Sequence, residues 1–177
     1  MPTSSSICFD PASPGLPAFG FPDQTRLLVI GYGNVLFGDD GIGPHIAEQV
    51  AAWQRPGVHG LAVPLLTPEL SPLLTAAELA VFVDATLAPT DRPQLVPLHP
   101  AVSSAGLGHA ATPAGLLALA VAIFGRSPPA WMLSVPAADF TLGQNFSNVA
   151  QRGAERALCQ LRHLAQGLAG RSKLTSV

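Results

Sequence analysis

Arg26-Leu-Leu-Val-Ile-Gly-Tyr-Gly-Asn-Val-Leu-Phe-Gly-Asp-Asp-Gly-Ile-Gly43 is the stretch from which the fold is read. Leu27 to Ile30 form a continuous apolar run closed by Gly31, the pattern of a strand buried on both faces. Ile42, Ile46, Val50 and Trp53 then recur at helical spacing, which predicts a helix from Gly41 to Trp53. A buried strand, a glycine-rich turn and an amphipathic helix open a strand–helix–strand unit.

The same alternation continues along the chain. Gly60 to Val63 reads as a second strand, and Thr67 to about Glu78 as a helix opened by Thr-Pro-Glu. Leu79 to Asp84 is a third strand, apolar until its last residue, and Gln94 to Leu98 a short fourth one that Pro97 pushes to an edge. A glycine-rich loop, Ser103 to His109, precedes a helix from Pro113 to Phe124 with Thr112 as its N-cap. Trp131 to Val135 is the last strand, and Asn148 to Gly167 the closing helix. The expected architecture is therefore α/β: a single domain with a mostly parallel twisted sheet of about five strands and helices on both faces. Residues 1–25 read as a Pro/Ser-rich extension, 26–170 as the domain and 171–177 as a tail. In such sheets, sites form in the crevices at the carboxyl ends of the strands.

Composition narrows the classes. The 177 residues are 48% apolar and 11% charged, enough to bury a core and too apolar for disorder. The 17 glycines and 18 prolines are not periodic, which excludes collagen-like repeats. A formal charge of -2 with one lysine, Lys173, shows no basic patch, so no nucleic-acid partner is expected. The longest apolar run, Gly115 to Gly125, is too short to cross a bilayer, and the N-terminus carries no secretory pattern. A cytoplasmic protein with no membrane partner is the expectation. Cys8 and Cys159 are then reduced thiols, with Cys159 a small apolar residue on a helix.

Few polar residues fall at strand ends, so each is informative. The first turn spaces its glycines as G-x-G-x-x-x-x-G, not G-x-G-x-x-G, and no acid ends the second strand, which argues against a dinucleotide. Asp39 and Asp40 are adjacent at the strand-to-helix turn; one can cap the helix while the other is solvated. Asp84 ends an apolar strand, where a carboxylate needs a partner, a hydrogen bond or a metal unless it simply opens the next loop. His109 lies in a loop before a helix and could face solvent. Taken together, Asp40, Asp84 and His109 make a plausible O,O,N set for a divalent transition metal.

Gly31 to Gly43 matches throughout the opening pattern of the [NiFe]-hydrogenase maturation proteases: Gly-x-Gly-Asn-x-Leu, two residues, then Asp-Asp/Glu-Gly-x-Gly. Val83-Asp84-Ala85 resembles that family's strand-end aspartate, and His109 ahead of Ala114-Gly-Leu-Leu-Ala its loop histidine. The resemblance runs in order from about residue 26 to 167, and Thr67-Pro-Glu-Leu looks like the branch serving cytoplasmic, multisubunit hydrogenases. Residues 1–25 have no counterpart in it. It implies an endopeptidase that removes a C-terminal extension from the nickel-loaded large-subunit precursor of a [NiFe] hydrogenase. It also implies that Asp40, Asp84 and His109 are the catalytic and metal-binding residues. Nickel would arrive on the substrate, with other divalent metals substituting in vitro, and the enzyme is expected to be a monomer. Asp39 would cap the helix or orient Asp40; Gly31, Gly33, Gly41 and Gly43 would let the loop backbone approach the substrate; Asn34 would fix the turn. His45 and His99 are the rivals to His109, while His59 and His163 read as surface residues. A nickel-dependent binding module or chaperone, and a metal-independent aspartic-type hydrolase, are the alternative functions.

Overall fold

A computed structural model describes residues 25–87, 90, 92–101, 112–143 and 145–172. Five strands form one sheet: β1 (Thr25–Tyr32), β2 (Val58–Val63), β3 (Ala77–Thr86), β4 (Gln94–Leu98) and β5 (Ala130–Pro136). Their order is β2-β1-β3-β5-β4. All neighbours run parallel except the edge strand β4, which is antiparallel to β5 with Leu98 opposite Ala130.

Alternation along β1 shows how the apolar run was spent. Leu27 and Val29 face one side of the sheet, Leu28 and Ile30 the other, and all four are fully buried. On the first side lie α1 (Ile42–Ala51) and α4 (Asn148–Ser172), which pack Ile42, Ile46, Val50, Ala157 and Leu161 against the strands. On the second lie α2 (Ser71–Thr75) and α3 (Pro113–Phe124), bringing Leu74, Leu116, Leu117 and Ala120 onto Phe82. Burying a side chain of the size of Phe82 contributes about 2–3 kcal/mol. The Thr112 hydroxyl caps α3 by accepting the Gly115 N–H at 3.0 Å, as its sequence position predicts.

Element bounds differ from the sequence reading in several places. The helix expected over residues 67–78 shrinks to a 3₁₀ turn at Pro68–Leu70 and the five-residue α2, and Glu78 belongs to β3. Ala77 pairs with Thr25, so hydrogen bonding to β1 claims residues that local pattern alone assigns to a helix. A 3₁₀ turn, Gly38–Gly41, precedes α1, which ends at Ala51 rather than Trp53. The closing helix runs on to Ser172, so the expected tail begins inside it. Thr25, assigned to the extension, is the buried first residue of β1; residues 1–24 lie outside the described residues. Among the described residues, no helix is long and apolar enough to cross a membrane.

Candidate active site

The loop from β1 to α1 folds back tightly on its own glycines. A Cβ on Gly31 would sit 1.9 Å from the Gly43 carbonyl oxygen, and one on Gly43 would sit 2.6 Å from the carbonyl oxygens of Tyr32 and Val83. Only glycines let the first turn of α1 rest directly on β1 and β3. Gly33 adopts φ +139°, a conformation that side chains rarely tolerate, and its Cβ would fall 2.0 Å from the Asp40 carbonyl oxygen. Gly41 passes close to Val35. These approaches are made by the chain to itself. Asn34 does close the turn: its side-chain oxygen accepts the Leu36 N–H at 3.0 Å, while its own N–H donates to Asp40 Oδ2 at 2.7 Å.

That bond aims Asp40 toward the end of β3, where Asp84 stands beside β5 in register with Ser134. Asp84 accepts the Ala85 N–H at 2.9 Å and a hydrogen bond from the Tyr32 hydroxyl. Burial pushes the Asp84 carboxyl above the ordinary carboxylate range and the nearby Asp40 charge pushes it the same way, outweighing these two hydrogen bonds. Burial and the Asp84 charge and hydrogen bond raise Tyr32 far above an ordinary phenol, so its hydroxyl stays protonated and donates. Tyr32, half-buried between Gly31 and Gly33, is the neighbour of the acids that sequence reasoning missed. No residue spacing announces it; only the pairing of β1 with β3 brings it to Asp84.

The fold places four of the five histidines. His109 lies outside the described residues. His99 follows β4, whose antiparallel run carries it to the amino end of the parallel strands, away from Asp40 and Asp84; it is no rival. His45 occupies the first turn of α1 with its ring 5.1 Å from that of Phe146. His163 is exposed on α4, as expected, whereas His59 is half-buried on β2 and burial lowers its pKa, contrary to the surface reading. Cys159 is on a helix as expected, but exposed. Among the described residues, no three side chains of His, Cys, Asp and Glu converge on one point, so the donors placed together are the two carboxylates. Hard oxygen donors, one of them pushed toward protonation chiefly by burial and further by the charge of the other, suit a divalent cation.

Asp39 does something else. It is fully buried and caps neither the 3₁₀ turn nor α1. Its Oδ2 accepts the N–H groups of Ala138 at 2.7 Å and Asp139 at 2.9 Å and the Ser147 hydroxyl at 2.6 Å; its Oδ1 accepts the Ser147 N–H at 2.7 Å. Burial alone would raise its pKa, but these four bonds overcome it and hold the carboxyl below its ordinary value. Ser147 in turn caps α4 at the Ala150 N–H. Asp39 is thus the clamp between the first loop and the β5–α4 connection, not an orienting partner of Asp40.

No family model matches the chain, and no curated protein does. Solved structures do. The [NiFe] hydrogenase maturation protease HycI from Thermococcus kodakarensis KOD1 superposes with a TM-score of 0.63 at 20% identity, covering 81% of this chain and 94% of that one. The hydrogenase 2 maturation peptidase from Thaumarchaeota archaeon SCGC_AB-539-E09 gives 0.59 at 22% identity, covering 81% and 99%. The hydrogenase maturating endopeptidase HybD from E. coli gives 0.60 at 18%, covering 80% and 93%. With the sheet order, the two-sided helical cover and the Gly31–Gly43 loop in place, this chain has the fold of the [NiFe] hydrogenase maturation proteases.

Proposed function

We propose that this chain is an endopeptidase that removes a C-terminal extension from the nickel-loaded large-subunit precursor of a [NiFe] hydrogenase. The observation that carries the reading is the meeting of Asp40 and Asp84 at the carboxyl end of the sheet, within the fold shared with proteins of that activity. Nickel belongs to the substrate in this account. Asp40 and Asp84 supply anionic oxygens to it and His109 an imidazole, leaving other positions to the precursor's own groups or to water. The bound metal can polarise the scissile carbonyl or acidify a water. The chain's part is to hold the donors: the Asn34 N–H fixes one oxygen of Asp40, and Tyr32 with the Ala85 N–H fixes Asp84. Zinc or cadmium would be held by the same groups in vitro. The proposed setting is the cytoplasm, with the enzyme acting as a monomer.

One observation favours a second reading. Asp84, raised toward protonation beside a second acid, has the arrangement of an acid/base pair, which would cleave without nickel. Asp40→Asn and Asp84→Asn test the shared claim that the carboxylates act. An amide keeps the shape and loses the charge. Since losing a group that merely orients a ligand costs 10–100-fold, losing a ligand should cut processing by more than about a hundredfold, with the fold intact. Two folded variants that cleave at the wild-type rate remove both acids from the mechanism.

A further inference from the structure

Eleven large apolar side chains stand exposed among the described residues, and five of them lie on two short loops: Val35, Leu36 and Phe37, and Phe140 and Leu142. The loops are built into one ribbon. The Gly38 N–H donates to the Gly143 carbonyl at 2.7 Å and the Gly143 N–H to the Leu36 carbonyl at 2.9 Å, pairing Phe37 with Gly143 in parallel. The bond from Gly143 to the Leu36 carbonyl brings the turn that carries Leu36 against the segment that carries Leu142. These two leucines are 50% and 78% exposed. The buried Asp39 clamp holds the ribbon from beneath, and the Asp39 N–H donates to the Asp139 carbonyl at 2.8 Å. Five exposed apolar side chains gathered on two hydrogen-bonded loops mark a surface for protein contact.

Its place and charge say what it receives. The ribbon leads into the reacting acids, because Asp40 follows Phe37 by three residues on the same loop. Neither residues 34–43 nor residues 136–147 contain a lysine or arginine, while Asp40, Asp84 and Asp139 add negative charge. The complementary partner is a polypeptide that brings a cation to the acids and apolar side chains to the ribbon. We infer that the ribbon of Val35–Phe37 and Phe140–Leu142 is the docking surface for the substrate, taking an apolar stretch of the precursor beside the cleavage point. This deepens the proposed function and rests on it.

The test is steady-state cleavage of the nickel-loaded large-subunit precursor from the same organism by the full chain. Leu142→Ser, and Leu36→Ser combined with it, should raise KM about tenfold in the double variant while kcat stays within about twofold, the signature of lost uniform binding. Both side chains are exposed, so the melting temperature should not change. Ile123→Ser, at a 60% exposed position on α3, should leave KM as it was. Wild-type cleavage with an unchanged KM in the double variant overturns the docking surface alone. A wild-type chain that leaves the precursor uncut overturns the function and the surface with it. A wild-type dimer that Leu142→Ser turns into a monomer, with KM unmoved, overturns the surface in favour of contact between copies.

Discussion

Asp39 and Asp40 are the same residue in adjacent positions, and their surroundings give them opposite work. Asp40 is partly exposed and fixed by one local N–H; Asp39 is sealed and fixed by four bonds to residues 99 to 108 positions away. An asparagine at position 39 offers one acceptor oxygen where the carboxylate uses both, and turns a donor toward the groups left over. Asp39→Asn should cost about 3 kcal/mol. For a domain of this length that lowers the melting temperature by about 6–12 °C. Thermal unfolding checks it, and an unchanged Tm would mean that the four bonds add nothing to stability. The sequence shows the pair of acids because two carboxylates at one turn are rare in so uncharged a chain. It does not show which one is buried, because the partners of Asp39 come from a connection with no local signal.

Elements were legible where burial dictated them. β1, β3 and β5 are apolar runs because helices cover both faces, and a run of that kind reads the same in one dimension as in three. The expected helix after Thr67 failed because Ala77 and Glu78 are set by pairing with β1, which no periodicity within the segment reveals. The place of His99 was illegible for the same reason, since strand direction depends on the partner. The α1–β1 contact is set by glycine. In Gly31→Ala the new methyl meets the Gly43 carbonyl, and α1 must shift from the sheet that carries Asp84. Overpacking of this kind should cost about 3 kcal/mol. Tm should fall by about 6–12 °C, and a calorimetric trace like the wild type's would mean that the helix yields freely. His59 on β2 gives the sheet a pH dependence. Burial holds its folded pKa below the unfolded value, so the unfolded chain binds the proton first. Stability is greatest above the unfolded value near 6.5 and declines as pH falls from there to the folded value. Denaturant titrations at pH 7.5 and 5.5 should show a smaller loss in His59→Gln than in wild type; equal losses would assign the decline to other groups.

At the scale of the molecule, the alternation of apolar strands with helices was enough for the α/β architecture, whereas the choice of Asp40 over Asp39 rests on the family resemblance and not on the carboxyl-end rule. The surroundings that hold the loops in place, the Tyr32 hydrogen bond to Asp84 and the Asp39 clamp on the β5–α4 connection, arise only when distant segments close on one another. The central claim is that this assembly cuts a polypeptide that carries its own nickel. Incubation with nickel-loaded and nickel-free large-subunit precursor, followed by intact-mass spectrometry, tests it most directly. The account predicts that the loaded precursor loses a C-terminal fragment while the nickel-free one keeps its full mass. Equal cleavage of both, or a loaded precursor that is bound but never shortened, would contradict it.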